Sequence, residues 1–291
     1  MKRFKSIAIY SSIKDKKVLY IANQLKEILS SYQIKCLYPK ASKISEDLTK
    51  RPSSDEYIIE KADLIIAIGG DGTLLSSARK FGYFGLPVLG INLGNLGFLA
   101  DIAPENLTNS INDVLNGNFD LDKRFFLEAF AEGSDQKFQA LNEVVFHSGS
   151  IAQLIEYDLF LNGEFVYRQK ADGLIISSPT GSTAYSLSGN GPIISPEVRA
   201  IILLPMFPHS LNSRTLIVDE DTEIKITSRS KSKAYLSFDS HEKLNLSNQK
   251  DVYIQKAKSE LTLIHPKDHN FYSSCRNKLG WSLGVPGFNE E

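Results

Sequence analysis

Residues 62–77, ADLIIAIGGDGTLLSS, constrain this chain more than any other stretch. Residues 64–68 are an unbroken apolar run between turn residues, the pattern of a strand buried on both faces of a parallel sheet. Gly69 and Gly70 end it, because glycine takes backbone angles closed to other residues and lets a ligand approach the main chain. Asp71, Gly72 and Thr73 follow, and the chain from Leu74 reads as a helix. A strand, a glycine turn and a helix start leave backbone N–H groups free for phosphate oxygens. They also put the Asp71 carboxylate at the carboxyl end of a strand, the ligand edge of an open α/β sheet. Asp71 is thus the first candidate for chemistry. The same residue equally suits a tight βα turn and the cap of the helix behind it. The stretch lacks the Lys-Ser/Thr ending of a Walker A loop, and the fingerprint G-x-G-x-x-G needs no acidic residue. A phosphate site with its own carboxylate and no P-loop lysine points to a different phosphoryl-transfer design.

A length of 291 residues allows one large domain or two ordinary ones. Hydrophobic residues make up 42% and charged residues 23%, as in soluble globular proteins. The formal net charge of −1 gives no global field for DNA or anionic membrane, so neither is expected as a partner. Cys36 and Cys275 lie far apart, and the histidines show no metal-ligand spacing, so no metal residues are expected. Residues 1–12 hold no apolar core long enough for a signal peptide, and no segment reads as membrane-spanning. The expected location is the reducing cytoplasm.

In chain order, residues 6–10 read as a strand and residues 16–31 as a helix with Val18, Ile21, Ala22, Leu25, Ile28 and Leu29 on one face. Residues 34–38 resemble a second strand, and residues 42–60 read as a loop with weak helical pieces. Residues 87–91 form another buried strand that runs into GINLGNLGFLAD, residues 90–101. There Asn92 stands where a fingerprint would need its first glycine; it either offers an amide to a ligand beside Asp71 or belongs to a strained turn. A helix over 104–115 completes an α/β domain over residues 1–118.

From about residue 119 short alternating runs take over. Ile155, Tyr157, Leu159 and Leu161 alternate up to Asn162-Gly163, and Phe165 and Tyr167 alternate after it, a strong hairpin signal. Other strands are expected over 125–131, 138–146, 173–177, 200–204, 216–218, 223–228, 234–238, 252–255 and 261–264. Residues 119–265 are therefore a second, mostly antiparallel all-β domain. The tail over 266–291, with the only tryptophan, Trp281, is expected to pack back on the first domain.

A second constellation is ADGLIISSPTGSTAYSLSGNGPII, residues 171–194. Its hydroxyls and N–H groups, Thr180 and Thr183 among them, crowd a helix start and suit a phosphate or ribose, or simply a well-capped turn. Ser182 has no G-x-S-x-G elbow and no neighbouring base, so it is not a nucleophile. Asp172 and Asn142-Glu143 lie at or within apolar strands, where polar groups need partners. Ribose hydroxyls would serve, and so would buried protein groups.

GGDGT over 69–73, Asn142-Glu143, DGLIISSPTGSTAYSLS over 172–188, PMFPHSL over 205–211 and LIHPKDHNFY over 263–272 together resemble the NAD kinase family, closest to its proteobacterial branch. GGDG alone is shared with lipid kinases and phosphofructokinases; paired with GSTAYS at this distance it is specific. The chain departs from the family pattern at Gly189-Asn190-Gly191-Pro192 and at Lys170, where relatives tend to carry arginine.

The resemblance implies transfer of the ATP γ-phosphoryl to the 2′-hydroxyl of the adenosine ribose of NAD. Asp71 would be the catalytic base. Gly70, Gly72 and Thr73 would border the phosphates, with a divalent ion, Mg²⁺, accompanying ATP. Asn92, Asn142, Glu143, Lys170, Asp172, Thr180, Thr183, Ala184, Tyr185, Ser188 and His241 would surround NAD, which the family pattern places between the domains. A homodimer or homotetramer is also implied. A GGDG-type lipid kinase and a non-catalytic dinucleotide-binding sensor are the alternative readings.

Overall fold

The computed structural model describes residues 4–94, 97–149, 153–230, 233–246, 251–267 and 269–281. The chain divides into two compact units, Met1–Lys123 with Leu261–Glu291, and Arg124–Glu260.

The first unit alternates strands and helices: β1 (Ser6–Tyr10), α1 (Lys16–Ser31), β2 (Lys35–Leu37), α2 (Ser45–Leu48), α3 (Asp55–Lys61), β3 (Leu64–Gly69), α4 (Asp71–Lys80), β4 (Val88–Asn92) and α5 (Leu107–Leu115). Helix α1 starts where the Asp15 carboxylate accepts the Lys17 N–H, and it buries Val18, Ile21, Ala22, Leu25 and Leu29. The strands lie in the order β2-β1-β3-β4, all parallel. Residues 261–266 extend this sheet, with Leu263 opposite Val88 in parallel. The chain winds one way from β1 to β2, then crosses back over β1 to β3. The gap between the carboxyl ends of β1 and β3 is therefore a topological switch point, where open α/β sheets bind ligands. Ser11-Ser12 and Gly69-Gly70-Asp71 meet there. Residues 42–60 are more ordered than their polarity predicts. The Ser54 hydroxyl accepts the Tyr57 N–H and starts α3, which buries Ile58.

The second unit is antiparallel β. Strand β5 (Phe119–Ala131) enters it, followed by β6 (Phe138–Ala140), β7 (Glu143–His147), β8 (Ile155–Leu161), β9 (Glu164–Ala171), β10 (Gly173–Ser177), the short helix α6 (Tyr185–Ser188), β11 (Ala200–Met206), β12 (Leu216–Asp219), β13 (Ile224–Ser228), β14 (Ala234–Phe238), β15 (Glu242–Leu246) and β16 (Val252–Pro266). One sheet runs β12-β11-β10-β7-β14-β15. Facing it, β13 pairs with β8 and with the start of β16, and β8 pairs with β9. Val144, Phe146, Leu174, Ile176, Ile201 and Leu203 of the first sheet share one core with Ile155, Tyr157, Leu159, Ile224, Ile226 and Ile254 of the second. The hairpin of β8 and β9 turns at Asn162 (φ 50°) and Gly163 (φ 83°), the paired positive angles of a type I′ turn.

The expected run 138–146 is broken at Leu141-Asn142, where the backbone leaves its ladder to bind Asp239 and Ser178. The expected strands 252–255 and 261–264 are one continuous strand, β16. The tail forms α7 (Phe271–Leu279), started by the Asn270 side chain, which accepts the Tyr272 and Ser273 N–H groups. It belongs to the first unit.

Candidate active site

Glycine shapes the turn after β3. A Cβ on Gly69 would lie 2.3 Å from Thr73 Oγ1, so only glycine lets the Thr73 hydroxyl fold back. That hydroxyl sits 2.7 Å from Ser12 Oγ, across the switch point. Asp71 opens α4, but its carboxylate turns away from its own helix toward the loop after β4. The Phe98 N–H donates to Oδ2 at 2.9 Å, and the Leu99 and Ala100 N–H groups donate to Oδ1 at 3.2 and 3.1 Å. Lys278 Nζ of α7 completes the set, donating to Oδ2 at 3.4 Å. The loop is itself tied down: Asn92 Nδ2 donates to Ala100 O, and the Gly94 N–H to Asn92 Oδ1. The Asn92 amide thus holds the residues that hold Asp71.

The C-terminal segment braces the same loop. Asp101 Oδ2 accepts from His265 Nδ1 at 2.9 Å and from His269 Nδ1 at 2.8 Å, and the two rings stack with centroids 3.9 Å apart. These groups could hold a metal ion; here hydrogen bonds join them. Burial works against charge on His265, but the Asp101 and Asp122 carboxylates outweigh it and push its pKa up to about 9. This ion pairing therefore stabilises fully below pH 6.5 and is lost as pH rises through about 9. Burial also opposes ionisation of Asp101, and the two imidazoles overcome it to hold Asp101 below its ordinary value. Phe98 meets Phe271 of α7 at 6.4 Å, and Lys278 Nζ lies 4.6 Å from the Phe98 ring centroid.

In the second unit, the tip of the β14–β15 hairpin organises a polar cluster. Asp239 (φ 46°) and Ser240 (φ 54°) form the turn. The Asp239 carboxylate accepts the N–H groups of Leu141, Asn142 and Glu143 at 2.9, 2.8 and 3.2 Å. From the other side, Ser178 Oγ donates to Leu141 O at 2.6 Å and the Ser178 N–H to Asn142 O at 2.9 Å. Asn142 and Glu143 are buried, yet Asn142 Oδ1 and Glu143 Oε2 find no hydrogen-bond partner among the described residues. Burial, reinforced by the Asp239 charge and partly offset by the Tyr185 N–H, pushes Glu143 up to about 8. Unpartnered buried acceptors cost free energy, which points to a ligand donor.

Thr180, Thr183, Ala184 and Tyr185 line the turn beside this cluster. Thr180 is buried, its hydroxyl accepting from Arg124 Nη1 at 3.1 Å, while Tyr185 and Ser188 are exposed. Ser182 is fully buried between Pro179 O and the Ile194 N–H, a structural residue. His241 is exposed at the start of β15. Lys170 is also exposed, 3.8 Å from Glu156 on the neighbouring strand. It lies in β9, whereas Asp172 falls in the link to β10, its N–H donating to Met206 O. Lys170 and Asp172 therefore do not share one strand, and strand periodicity does not put them on one face.

Asp101, His265, His269, Lys278 and Asp239 do not stand out in the sequence reading. The signal for Asp239 is the turn pair Asp-Ser between two alternating runs. For the histidines it is the H-x-x-x-H spacing after a strand, which corrects the expectation that they show no metal-ligand spacing.

Glu143 sets a pH dependence. Its raised value makes the folded state hold a proton that the unfolded chain releases above about pH 4.5, so this group lowers stability as pH rises from 4.5 to about 8. The slope is at most about 1.4 kcal/mol per pH unit. Glu143→Gln removes the titration, so its urea stability should gain on the wild type between pH 6 and pH 8. Parallel pH profiles for the two proteins would contradict this.

Residues 9–119 match the ATP-NAD kinase N-terminal domain family, and residues 141–266 match the ATP-NAD kinase C-terminal domain family. An NAD kinase of Teredinibacter turnerae is 40% identical over 288 residues, which cover 97% of this chain and 98% of the relative. An NAD kinase of Marinobacter nauticus is 40% identical over 297 residues, covering 98% and 99%. Among solved structures, a yeast NADH kinase complexed with NADH has a TM-score of 0.84 at 27% identity, covering 99% of this chain and 91% of its own. An NAD kinase from Archaeoglobus fulgidus in complex with ATP shares the fold, with a TM-score of 0.74 at 22% identity over 94% of this chain and 98% of its own.

Proposed function

The chain belongs to the NAD kinase family, and on that premise we propose how its own residues divide the work. The reaction moves the γ-phosphoryl of ATP to the 2′-hydroxyl of the adenosine ribose of NAD and yields NADP and ADP. Asp71 accepts the proton of that hydroxyl, because an alcohol attacks phosphorus poorly until its proton has somewhere to go. The ribose oxygen then bonds to the γ-phosphorus. The bond from that phosphorus to the β,γ-bridging oxygen breaks, and ADP leaves with the electron pair. Gly70, Gly72 and Thr73 give the phosphates room and N–H donors at the start of α4.

Asn142 and Glu143 receive ribose hydroxyls. Their buried acceptors without partners are the observation that carries this assignment. Thr180, Thr183, Ala184, Tyr185 and Ser188 frame the adenosine, and Asp172, Lys170 and His241 supply further polar contacts. Asn92 acts through the loop it ties.

ATP brings a divalent ion, Mg²⁺, with its phosphates. The glycine turn does not fit a resident one: its single carboxylate, Asp71, already accepts three backbone N–H groups and Lys278. A divalent ion would therefore come with the nucleotide rather than be held by this turn, and would neutralise phosphate charge there.

The protein works in the cytoplasm; no helix among the described residues is long and apolar enough to cross a membrane. It assembles as a homodimer or homotetramer through the second unit. There the exposed Phe207, Leu211 and Ile217, the last on edge strand β12, offer apolar surface and an unpaired edge. Light scattering should give a multiple of the 32.4 kDa chain mass; a monomer across micromolar concentrations would refute the assembly.

Purified protein with ATP, Mg²⁺ and NAD should produce NADP, read through an NADP-specific dehydrogenase. Phosphorylation of a lipid instead, or NAD binding without turnover, would overturn the reading. A parallel run with NADH shows which redox form is preferred.

A further inference from the structure

The glycine turn carries no lysine of its own, yet an ammonium group stands at its carboxylate. A carboxylate has about four lone-pair sites. On Asp71 they are all taken: Leu99 and Ala100 on Oδ1, Phe98 and Lys278 on Oδ2. A base in this state has no site left for a substrate hydroxyl. Three of the four donors are backbone N–H groups of one tied loop. The fourth, Lys278, is the longest contact at 3.4 Å, and its side chain is flexible. Both side chains reach solvent, with 28% of Lys278 and 27% of Asp71 exposed. Lys278 is the donor that can leave.

Its position is built rather than incidental. His265 and His269 pin the segment before α7 to Asp101, next in sequence to the N–H groups that hold Asp71. Phe271 then meets Phe98, and Lys278 lies over the same Phe98 ring. Three separate contacts thus register α7 against the loop and deliver one ammonium to the start of α4, where phosphate is expected.

We propose that Lys278 is a catalytic residue of this reaction: its ammonium leaves Asp71 Oδ2 for a phosphate oxygen of the donor nucleotide. The lone pair released on Asp71 becomes the site for the acceptor hydroxyl. Donor binding thereby arms the base, and the chain supplies from its C-terminal helix the phosphate lysine that its glycine turn lacks. This inference rests on the assignment of Asp71 as the base at the donor phosphates.

Lys278→Ala, Lys278→Met and Lys278→Arg test it, with ATP affinity measured by calorimetry without NAD, alongside steady-state kinetics. Methionine keeps the apolar stem over Phe98 and serves if alanine loosens the helix. Loss of a charged hydrogen bond to phosphate should weaken ATP binding and raise its KM roughly ten-fold or more. The KM for NAD should stay near the wild-type value, and arginine should restore most ATP affinity. An ATP affinity unchanged in Lys278→Met would overturn the proposal, even if kcat fell, because Lys278 would then only orient Asp71. Equal weakening of both substrates in Lys278→Met would overturn it too. Failure of the wild type to make NADP would instead sink the kinase assignment, since ATP binding is read without turnover.

Discussion

Asp71→Asn is expected to lower kcat by roughly 10²–10⁴-fold, the usual contribution of a positioned general base. Asparagine keeps the size of the side chain and can still accept the Leu99 and Ala100 N–H groups through its carbonyl oxygen. Its amide group cannot take a proton from a hydroxyl. Where it replaces Oδ2, it meets the Phe98 N–H as donor against donor. NAD affinity should stay close to wild type while turnover falls, and the thermal melt should drop only by the loss of the Phe98 and Lys278 hydrogen bonds to Oδ2. Near wild-type kcat in a properly folded variant would remove Asp71 from the chemistry.

Gly97→Ala should cost about 10²-fold in kcat with no change of any charged or polar side chain. A Cβ on Gly97 would lie 2.0 Å from Asp71 Oδ1 and 2.9 Å from Ala100 O. The carboxylate must move, and with it the donors on Leu99 and Ala100. A displacement of about 1 Å at a reacting group is enough for a loss of that size. Gly94 is the control in the same loop. Among the described residues its added Cβ would find only Asn92 Oδ1, at 4.0 Å, so Gly94→Ala should keep most of its activity. Equal losses in the two variants would mean that general loosening of the loop, rather than crowding of Asp71, governs the rate.

The parts legible in the sequence were those governed by local rules. The apolar run of β3, its glycine stop and a helix from Leu74 follow from burial and backbone freedom, although the helix in fact begins three residues earlier, at Asp71. The hairpin at Asn162-Gly163 follows from turn chemistry. The parts that escaped depend on residues distant in the chain. Asp239 orders Leu141–Glu143 across about a hundred positions, so the break in the expected 138–146 strand has no local signal. Asp101 and His265 are separated by 164 positions and become a pair only once the sheet forms. Asp71 was legible as a candidate base, but its four hydrogen bonds were not, because three come from backbone and the fourth from a helix with a weak apolar face. Asn142 and Glu143 were legible as polar groups in need of partners. That Asn142 Oδ1 and Glu143 Oε2 still lack one among the described residues could be learned only from the structure.

The first unit is assembled from two stretches of chain, one at each end of the second. During synthesis this imposes an order. Strands β1 to β4 leave the ribosome early, but the strand that covers the open side of β4, with Leu263 beside Val88, comes only after the whole second unit. Until then β4 is a sheet edge, paired with β3 on one side and open to stray pairing on the other. His265, His269 and Lys278 arrive later still. The nascent first unit can therefore hold its glycine turn long before it can brace Asp71, and competence for catalysis waits for residues made after the whole second unit.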